Sequence, residues 1–347
     1  MSGLTGARIL VVGGAGFVGS NLVHMLLEQA PTQIIIVDNL LSSERFAIPQ
    51  SQRVSFIEGS ITDDEVLTGI RDNIDFVFHL ATYHGNQSSI CDPLADHENN
   101  TLTTLKLMNH LKDFTSIRKL VYSSAGCSVA EKTFGQARAT TEDDPISLVQ
   151  DSPYSISKII GEFYSVYFHL QHDLPTVRAR FQNVYGPGEY LGAGRWRGTS
   201  ATVWRNVTPT FIFKALSQEP LPVENRGAGS RDFIFVEDVC RGLMACAEKG
   251  KPGEVYNIAS GKETTILELA ELINSLTGNT SGIVSLPGRP WDHSGRRYGS
   301  TQKASRELDF QVLVNLKEGI DRTISWTRAN LLTIKGCMEK HRTHMKE

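Results

Sequence analysis

The strand-like run Ile9 to Val12 passes directly into GGAGFVGS, Gly13 to Ser20, and then into an apolar pattern at helical spacing, Phe17 to Leu27. No other stretch constrains the chain as much as this succession of strand, glycine turn and helix. Glycines at GxxGxxG spacing permit a tight turn, a close backbone approach to a ligand and close packing of helix on strand. Gly13, Gly16 and Gly19 take those parts in order, and the helix N-terminus, with Phe17 and Val18, offers unpaired N–H groups to an anion. Glycines also serve plain turns, so the loop needs a chemical partner. Asp38 supplies one, nineteen residues after Gly19 at the end of the next β-branched run, Ile34 to Val37. A carboxylate there accepts hydrogen bonds from an adenosine ribose and repels a 2′-phosphate, so NAD is expected rather than NADP. The alternative is that Asp38 only opens a turn with Asn39.

Further β-branched runs follow at Val54 to Ile57, Phe76 to Leu80, Lys119 to Ser123 and Thr176 to Arg180, separated by helical patterns such as Asn100 to Leu111 and Tyr154 to Leu170. This alternation predicts an α/β fold, a Rossmann-type doubly wound parallel sheet. Its 347 residues exceed one ordinary domain, so a smaller C-terminal α/β substrate lobe is expected beside the sheet. The regular alternation fades after about Gly186, and Val255 to Ala259 reads as a strand returning to the sheet behind the helical segment Val239 to Glu248. The expected division is therefore residues 1–185 with 238–261 for the Rossmann domain, 186–237 with 262–330 for the second lobe, and 331–347 for a charged tail. Within that tail, Lys335 to Glu347 reads as a frayed, solvated helix end.

Several classes are excluded by composition. A hydrophobic content of 40% with 21% charged residues is that of a soluble globular enzyme. A formal net charge of -3 provides no general attraction for nucleic acid. The five cysteines contain no CxxC pair, which argues against a disulfide framework or a metal site and for a reducing cytoplasm. Ile9 to Val12 is too short for a signal peptide or membrane span, so no membrane partner is expected.

A second chemical signal is YSISK, Tyr154 to Lys158, on a predicted helix. Residues four apart share a helical face, so the phenol and the ammonium point into one cleft. The lysine charge favours phenolate, lowering a pKa that is about 10 in water and making the tyrosine a base near neutral pH. Ser124 ends a buried strand, at the sheet edge where open α/β proteins bind ligands. Cys127 beside it reads as a small apolar filler.

GGAGFVGS, Asp38, HLAT at His79 to Thr82, Asn100, SSAG at Ser123 to Gly126, YSISK, RFQNVYGPG at Arg180 to Gly188, RDFIFVEDV at Arg231 to Val239 and VYNIASG at Val255 to Gly261, in that order, resemble the motif set of the extended short-chain dehydrogenase/reductases. The match runs over roughly residues 8–330. It is similar above all to epimerase-like enzymes of bacterial O-antigen clusters, which share the YHGNQSSI and RFQNVYGPG wording; lipopolysaccharide biosynthesis is the implied setting. The resemblance implies that Tyr154 takes the proton of a sugar 4-hydroxyl, Ser124 bonds that hydroxyl, and Lys158 holds the nicotinamide ribose. It places Asn39, Ser60, Ile61, Leu80, Ala81, Thr82, His84, Asn100 and Ser123 at the cofactor. Ala125, Gly126, Asn183, Arg231, Arg289 and Asp292 are implied for a nucleotide-sugar substrate, with a UDP-sugar expected and Trp291 either stacking on a base or capping the pocket. A guanidinium fork suits the diphosphate. A homodimer through the helices of Asn100 to Leu111 and Tyr154 to Leu170 is also implied.

Departures from the pattern choose among reactions. Dehydratases carry an Asp-Glu pair, and decarboxylases a glutamate, where this chain has Ala125 and Gly126. The remaining apparatus suffices to oxidise carbon 4 and reduce it again, as a 4-epimerase does. A dehydratase, decarboxylase or oxidoreductase that releases a modified sugar is the alternative, and a non-enzymatic NAD-binding sensor is a more distant one. The segment Glu189 to Val207, with Arg195, Arg197, Arg205, Trp196 and Trp204, suits either a lid over an anionic or acetamido-bearing sugar or a contact between lobes or subunits.

Overall fold

A computed structural model describes residues 3–83, 85–129, 133–190, 206–293 and 295–340. Seven strands form its main sheet: β1 (Arg8–Val12), β2 (Gln33–Asp38), β3 (Val54–Glu58), β4 (Phe76–His79), β5 (Lys119–Ala125), β6 (Thr176–Phe181) and β7 (Val255–Ile258). Their spatial order is β7-β6-β5-β4-β1-β2-β3 and every pairing is parallel. Strands so placed are covered on both faces, which explains their unbroken apolar runs. Ile9, Val11, Ile34, Ile36, Phe76 and Phe78 enter one core. Leu10, Val12, Val37 and Val77, the alternate residues, enter the other.

The helices that matter are α1 (Phe17–Glu28), α2 (Thr103–Leu111), α3 (Pro153–His172), α4 (Val207–Leu216), α5 (Val236–Lys249), α6 (Ile266–Thr277), α7 (Leu316–Ala329) and α8 (Leu331–Lys340). Sequence chemistry sets several of their starts. The Ser152 side chain accepts from the Ser155 amide with Pro153 in the first turn of α3, and Thr265 with Glu268 forms a reciprocal capping box on α6. Ahead of α2, residues His97–Leu102 form a π-helical turn rather than the start of a regular helix. Such insertions are frequent near functional sites because they redirect side chains.

The second lobe has its own core, in which Phe211 and Ile212 of α4, Leu269 and Ile273 of α6, and Ile320 and Ile324 of α7 meet Leu221, Val223, Phe233 and Phe235. Two expectations change. The helix Gln302–Leu308, assigned to that lobe within 262–330, instead places Ala304, Leu308 and Phe310 in the core of the main sheet. Apolar residues four apart gave it one buried stripe, and that stripe meets α5 and β7. The charged tail also begins later than expected: α8 is helical through Lys340, with Ile334 and Cys337 buried against Phe213. Residues 341–347 lie outside the described part.

Candidate functional site

The chain runs from β1 to β3 in one direction and places β4 on the other side of β1, so the strand order reverses between β1 and β4. Open α/β sheets bind ligands at that reversal, beyond the carboxyl ends of the strands. A cavity of about 360 Å³ lies there. The loop between β1 and α1 contributes Gly13, Gly16, Phe17, Val18 and Gly19 to its wall, and the end of β2 contributes Asp38 and Asn39. Ser60 and Ile61 follow β3, while Leu80, Ala81 and Thr82 follow β4.

Gly13 has a φ of +86°, and a Cβ there would lie 2.4 Å from the Ala81 amide nitrogen; a Cβ on Gly19 would lie 2.1 Å from the Gly13 carbonyl oxygen. Neither position admits a side chain. Asp38 both opens a turn and faces the cavity. Its carboxylate accepts from the Leu40 amide at 2.9 Å, the Ser43 hydroxyl at 3.0 Å and, across the loop, the Ala15 amide at 3.0 Å. Burial pushes its pKa up and these hydrogen bonds oppose the shift. The carboxylate therefore fastens the glycine loop as well as presenting an acceptor to the wall.

Ser123, Ser124 and Ala125 at the end of β5, with Tyr154 and Lys158 of α3, line the same cavity. Lys158 Nζ donates to the Ser123 carbonyl at 3.0 Å and stands 5.8 Å from the Tyr154 ring centre. Burial pushes the Lys158 ammonium down to about 8, and the nearby Asp96 carboxylate works against that shift. Asp96 is itself buried, its pKa raised to about 6 by desolvation. Ser124 Oγ donates to Glu162 Oε1 at 2.5 Å. Glu162 in turn receives Arg180 Nε and Nη2, each at 2.8 Å, and this guanidinium holds the carboxyl below its ordinary range despite burial.

Two expected wall residues stand elsewhere. Asn100 does not line the cavity; it is buried behind it, where Oδ1 accepts from Thr82 Oγ1 at 3.0 Å and the Tyr83 amide at 2.7 Å, and Nδ2 donates to Asp96 at 2.7 Å. It ties the loop after β4 to Asp96. Gly126 is covered by Gln182, whose Nε2 would lie 2.1 Å from a Cβ at that position. His84 lies outside the described residues, as do Arg195, Trp196, Arg197, Trp204 and Arg205.

The second lobe closes the opposite wall with Asn183, Arg231, Arg289, Trp291 and Asp292, and a smaller cavity of about 210 Å³ adjoins it, sharing Asn183, Arg231, Arg289 and Asp292. Arg231 donates to the Ser230 and Gly295 carbonyls at 2.7 Å and has Asp292 at 3.7 Å. Burial, with the neighbouring Arg297 charge, lowers its pKa to about 9. Arg289 Nε donates to Glu224 at 2.6 Å, and Gln87 from the β4 side accepts from the same guanidinium. Trp291 lies under Arg289 at 5.7 Å. Sequence reading missed Gln87, Gln182, Glu189, Asn206 and Arg297 on the wall and Asp96 and Glu162 behind it. Glu162 carried a signal: it continues the Tyr154–Lys158 face by four residues. Among the described residues, no group of three or more His, Cys, Asp or Glu side chains could hold a metal ion.

A family model described as the NAD dependent epimerase/dehydratase family matches residues 9–259. The chain is 60% identical to the Bordetella bronchiseptica enzyme WbmF, solved in complex with NAD+ and UDP, with 99% of each chain covered and a TM-score of 0.88. It is 30% identical to a UDP-glucose 4-epimerase of Thermotoga maritima, solved with UDP-glucose, covering 93% of this chain and 99% of that one with a TM-score of 0.83. A dTDP-glucose 4,6-dehydratase of Actinoplanes sp. is 28% identical, over 93% of this chain and 98% of its own length.

Proposed function

This chain belongs to the NAD-dependent epimerase/dehydratase family, and from that premise we propose that it is a nucleotide-sugar 4-epimerase acting on a UDP-sugar through a transient 4-keto sugar. One observation carries the reading. The glycine loop with Asp38, the Ser124, Tyr154 and Lys158 set, and the guanidinium groups of Arg231 and Arg289 all face a single cavity.

The wall fits a dinucleotide. Gly13 packs on the Ala81 backbone and Gly19 on the Gly13 carbonyl, which holds the loop backbone in the wall where a pyrophosphate would lie, Asp38 offers an acceptor to the adenosine ribose, and Lys158 serves the nicotinamide ribose. When bound, NAD supplies the hydride acceptor and donor for carbon 4. Tyr154 removes the 4-hydroxyl proton and later returns it. Lys158, cationic below about pH 8, favours the phenolate. Ser124 gives its own proton to Glu162, so toward the cavity it can only accept, and it takes the hydrogen bond of Tyr154 once that phenol is protonated. Arg231 and Arg289 hold the diphosphate while the keto sugar turns over.

Ala125 and Gly126 bring no carboxyl group to the end of β5, which weighs against dehydration and decarboxylation. The experiment supplies substrate deuterated at carbon 4. The expected product is a carbon-4 epimer with its label and mass retained, and Tyr154→Phe lowers turnover by about 10²–10⁴ while nucleotide sugar still binds. A product lighter by water or carbon dioxide overturns the reading.

A homodimer completes the proposal. Ile156, Phe163, Tyr167 and Leu170 form an exposed apolar stripe on α3, at spacings of seven, four and three that keep one face. No described helix is long and apolar enough to cross a membrane. A cytoplasmic enzyme that prepares an activated sugar for a surface polysaccharide such as O-antigen fits this set.

A further inference from the structure

Four arginines stand around the second-lobe wall, and three have carboxylate partners. Arg289 has Glu224 at 2.6 Å, Arg296 has Glu263 at 2.7 Å and Arg231 has Asp292 at 3.7 Å. Arg297 differs. It is only 8% exposed and lines the main cavity. Its Nε is buried without a hydrogen-bond partner, and no carboxylate among the described residues lies within ion-pair distance. Of the acids on the same cavity wall, Glu189 receives Asn206 at 2.7 Å, Asp38 holds the glycine loop and Asp292 faces Arg231. A guanidinium taken out of water needs an anion, because desolvation without pairing is strongly unfavourable.

Its place in the wall indicates which anion. Arg297 immediately precedes the short strand Tyr298–Gly299, which pairs with Ala139–Thr140. A Cβ on Gly299 would lie 2.9 Å from Gln182 Nε2, the atom that also covers Gly126. Arg297 lines the main cavity together with Ser124, Ala125 and Gln182, the side on which the proposed reaction places the sugar ring. The diphosphate of a nucleotide sugar would lie against Arg231 and Arg289 on this wall, and Arg297 is a further cation beside them.

Resting on the nucleotide-sugar reading above, we propose that Arg297 binds a third negative charge, a carboxylate on the sugar, and that the preferred substrate is a nucleotide-activated uronic acid rather than a neutral hexose. The bidentate geometry of a guanidinium on a carboxylate would orient the sugar as well as select it.

The test is calorimetric titration of the NAD-loaded protein with UDP, UDP-glucose and UDP-glucuronate, and with the corresponding 2-acetamido pair. The expected result is at least about tenfold tighter binding of the carboxylate member of one pair. Arg297→Gln removes that preference while leaving UDP within about twofold, and Arg297→Lys, which keeps the charge, restores part of it. UDP binding also reports that each variant is folded. Equal loss of UDP and uronate affinity in Arg297→Gln would make Arg297 a diphosphate ligand and overturn the inference. So would equal affinity of the wild-type protein for both members of both pairs. If UDP itself does not bind, the nucleotide-sugar reading falls and takes this one with it.

Discussion

Replacing Glu162 by Gln keeps the shape of the side chain and removes its charge, and the structure indicates what that costs. Glu162 and Arg180 are almost wholly buried and joined by two hydrogen bonds of 2.8 Å, with Arg178 at 3.5 Å on the same carboxylate. Breaking a buried pair from one side costs about 3–5 kcal/mol because the surviving charge is left unpaired. The amide oxygen retains one acceptor for Arg180, which places the loss near the lower end, about 3 kcal/mol. That is a large share of a total stability of roughly 5–15 kcal/mol. Removing both buried charges, as Glu162→Gln with Arg180→Met, leaves only the more exposed Arg178 without this carboxylate and costs roughly 1 kcal/mol. Arg180 holds the Glu162 carboxyl below its ordinary value of 4.5, so its contribution is fully present above that pH and is lost as pH falls through the lower folded value. The difference between wild type and Glu162→Gln is thus flat around neutrality and narrows in acid. Urea midpoints measured at pH 7 and in acid check this. A double variant no more stable than the single one would refute the account of Glu162 as a buried partner rather than a surface acid.

Asp38→Ala removes the ribose acceptor and the bond to the Ala15 amide together, so NAD affinity falls by about 100-fold, a loss of roughly 2.7 kcal/mol; wild-type preference for NADP in the same titration would contradict the assignment. Turnover is expected to plateau between about pH 6, below which Asp96 is protonated, and about pH 8, above which Lys158 loses its charge. Asp96→Asn, by removing the carboxylate that supports the ammonium, moves the alkaline limb of the pH profile down, and an unmoved limb would disconnect the two groups. Phe163→Asp with Leu170→Asp breaks the proposed dimer face, read by sedimentation velocity at micromolar concentration; a wild-type protein already monomeric there rejects it.

What the sequence disclosed was the chemistry whose spacing is local. Strand, glycine loop and Asp38 could be read together because one β-α-β unit brings them together, and YSISK because helical pitch puts its ends on one face. The unbroken apolar runs declared a sheet covered on both sides, and Val255 to Ala259 announced its own return to it. Residues whose meaning arises only across long separations stayed hidden. Arg297 looks like one more surface arginine in GRRYG until the fold buries it with no acid of the described residues within ion-pair distance. Asn100 belonged to a recognised motif, yet a motif names a residue and not its direction, and the π-helical turn at His97–Leu102 aims it behind the cavity. Gln302–Leu308 carries so many polar residues that its single buried stripe gave no hint of which core it would join.

The backbone crosses between the two bodies of the molecule repeatedly. It leaves the sheet after Phe181, returns through α5 and β7, departs for α6, returns again as Gln302–Leu308, and departs once more into α7. No single cut therefore yields two self-sufficient pieces, since each would lack part of its own core. A gene fragment encoding only the first 185 residues would expose the flank of β6, which β7 covers in the intact chain, and that bare strand is a template for aggregation. Exchange of substrate lobes between relatives, a common route to new specificities in enzymes built as beads on a string, requires splicing at several places at once. Specificity in this architecture is more readily altered by point substitution on the shared wall than by shuffling.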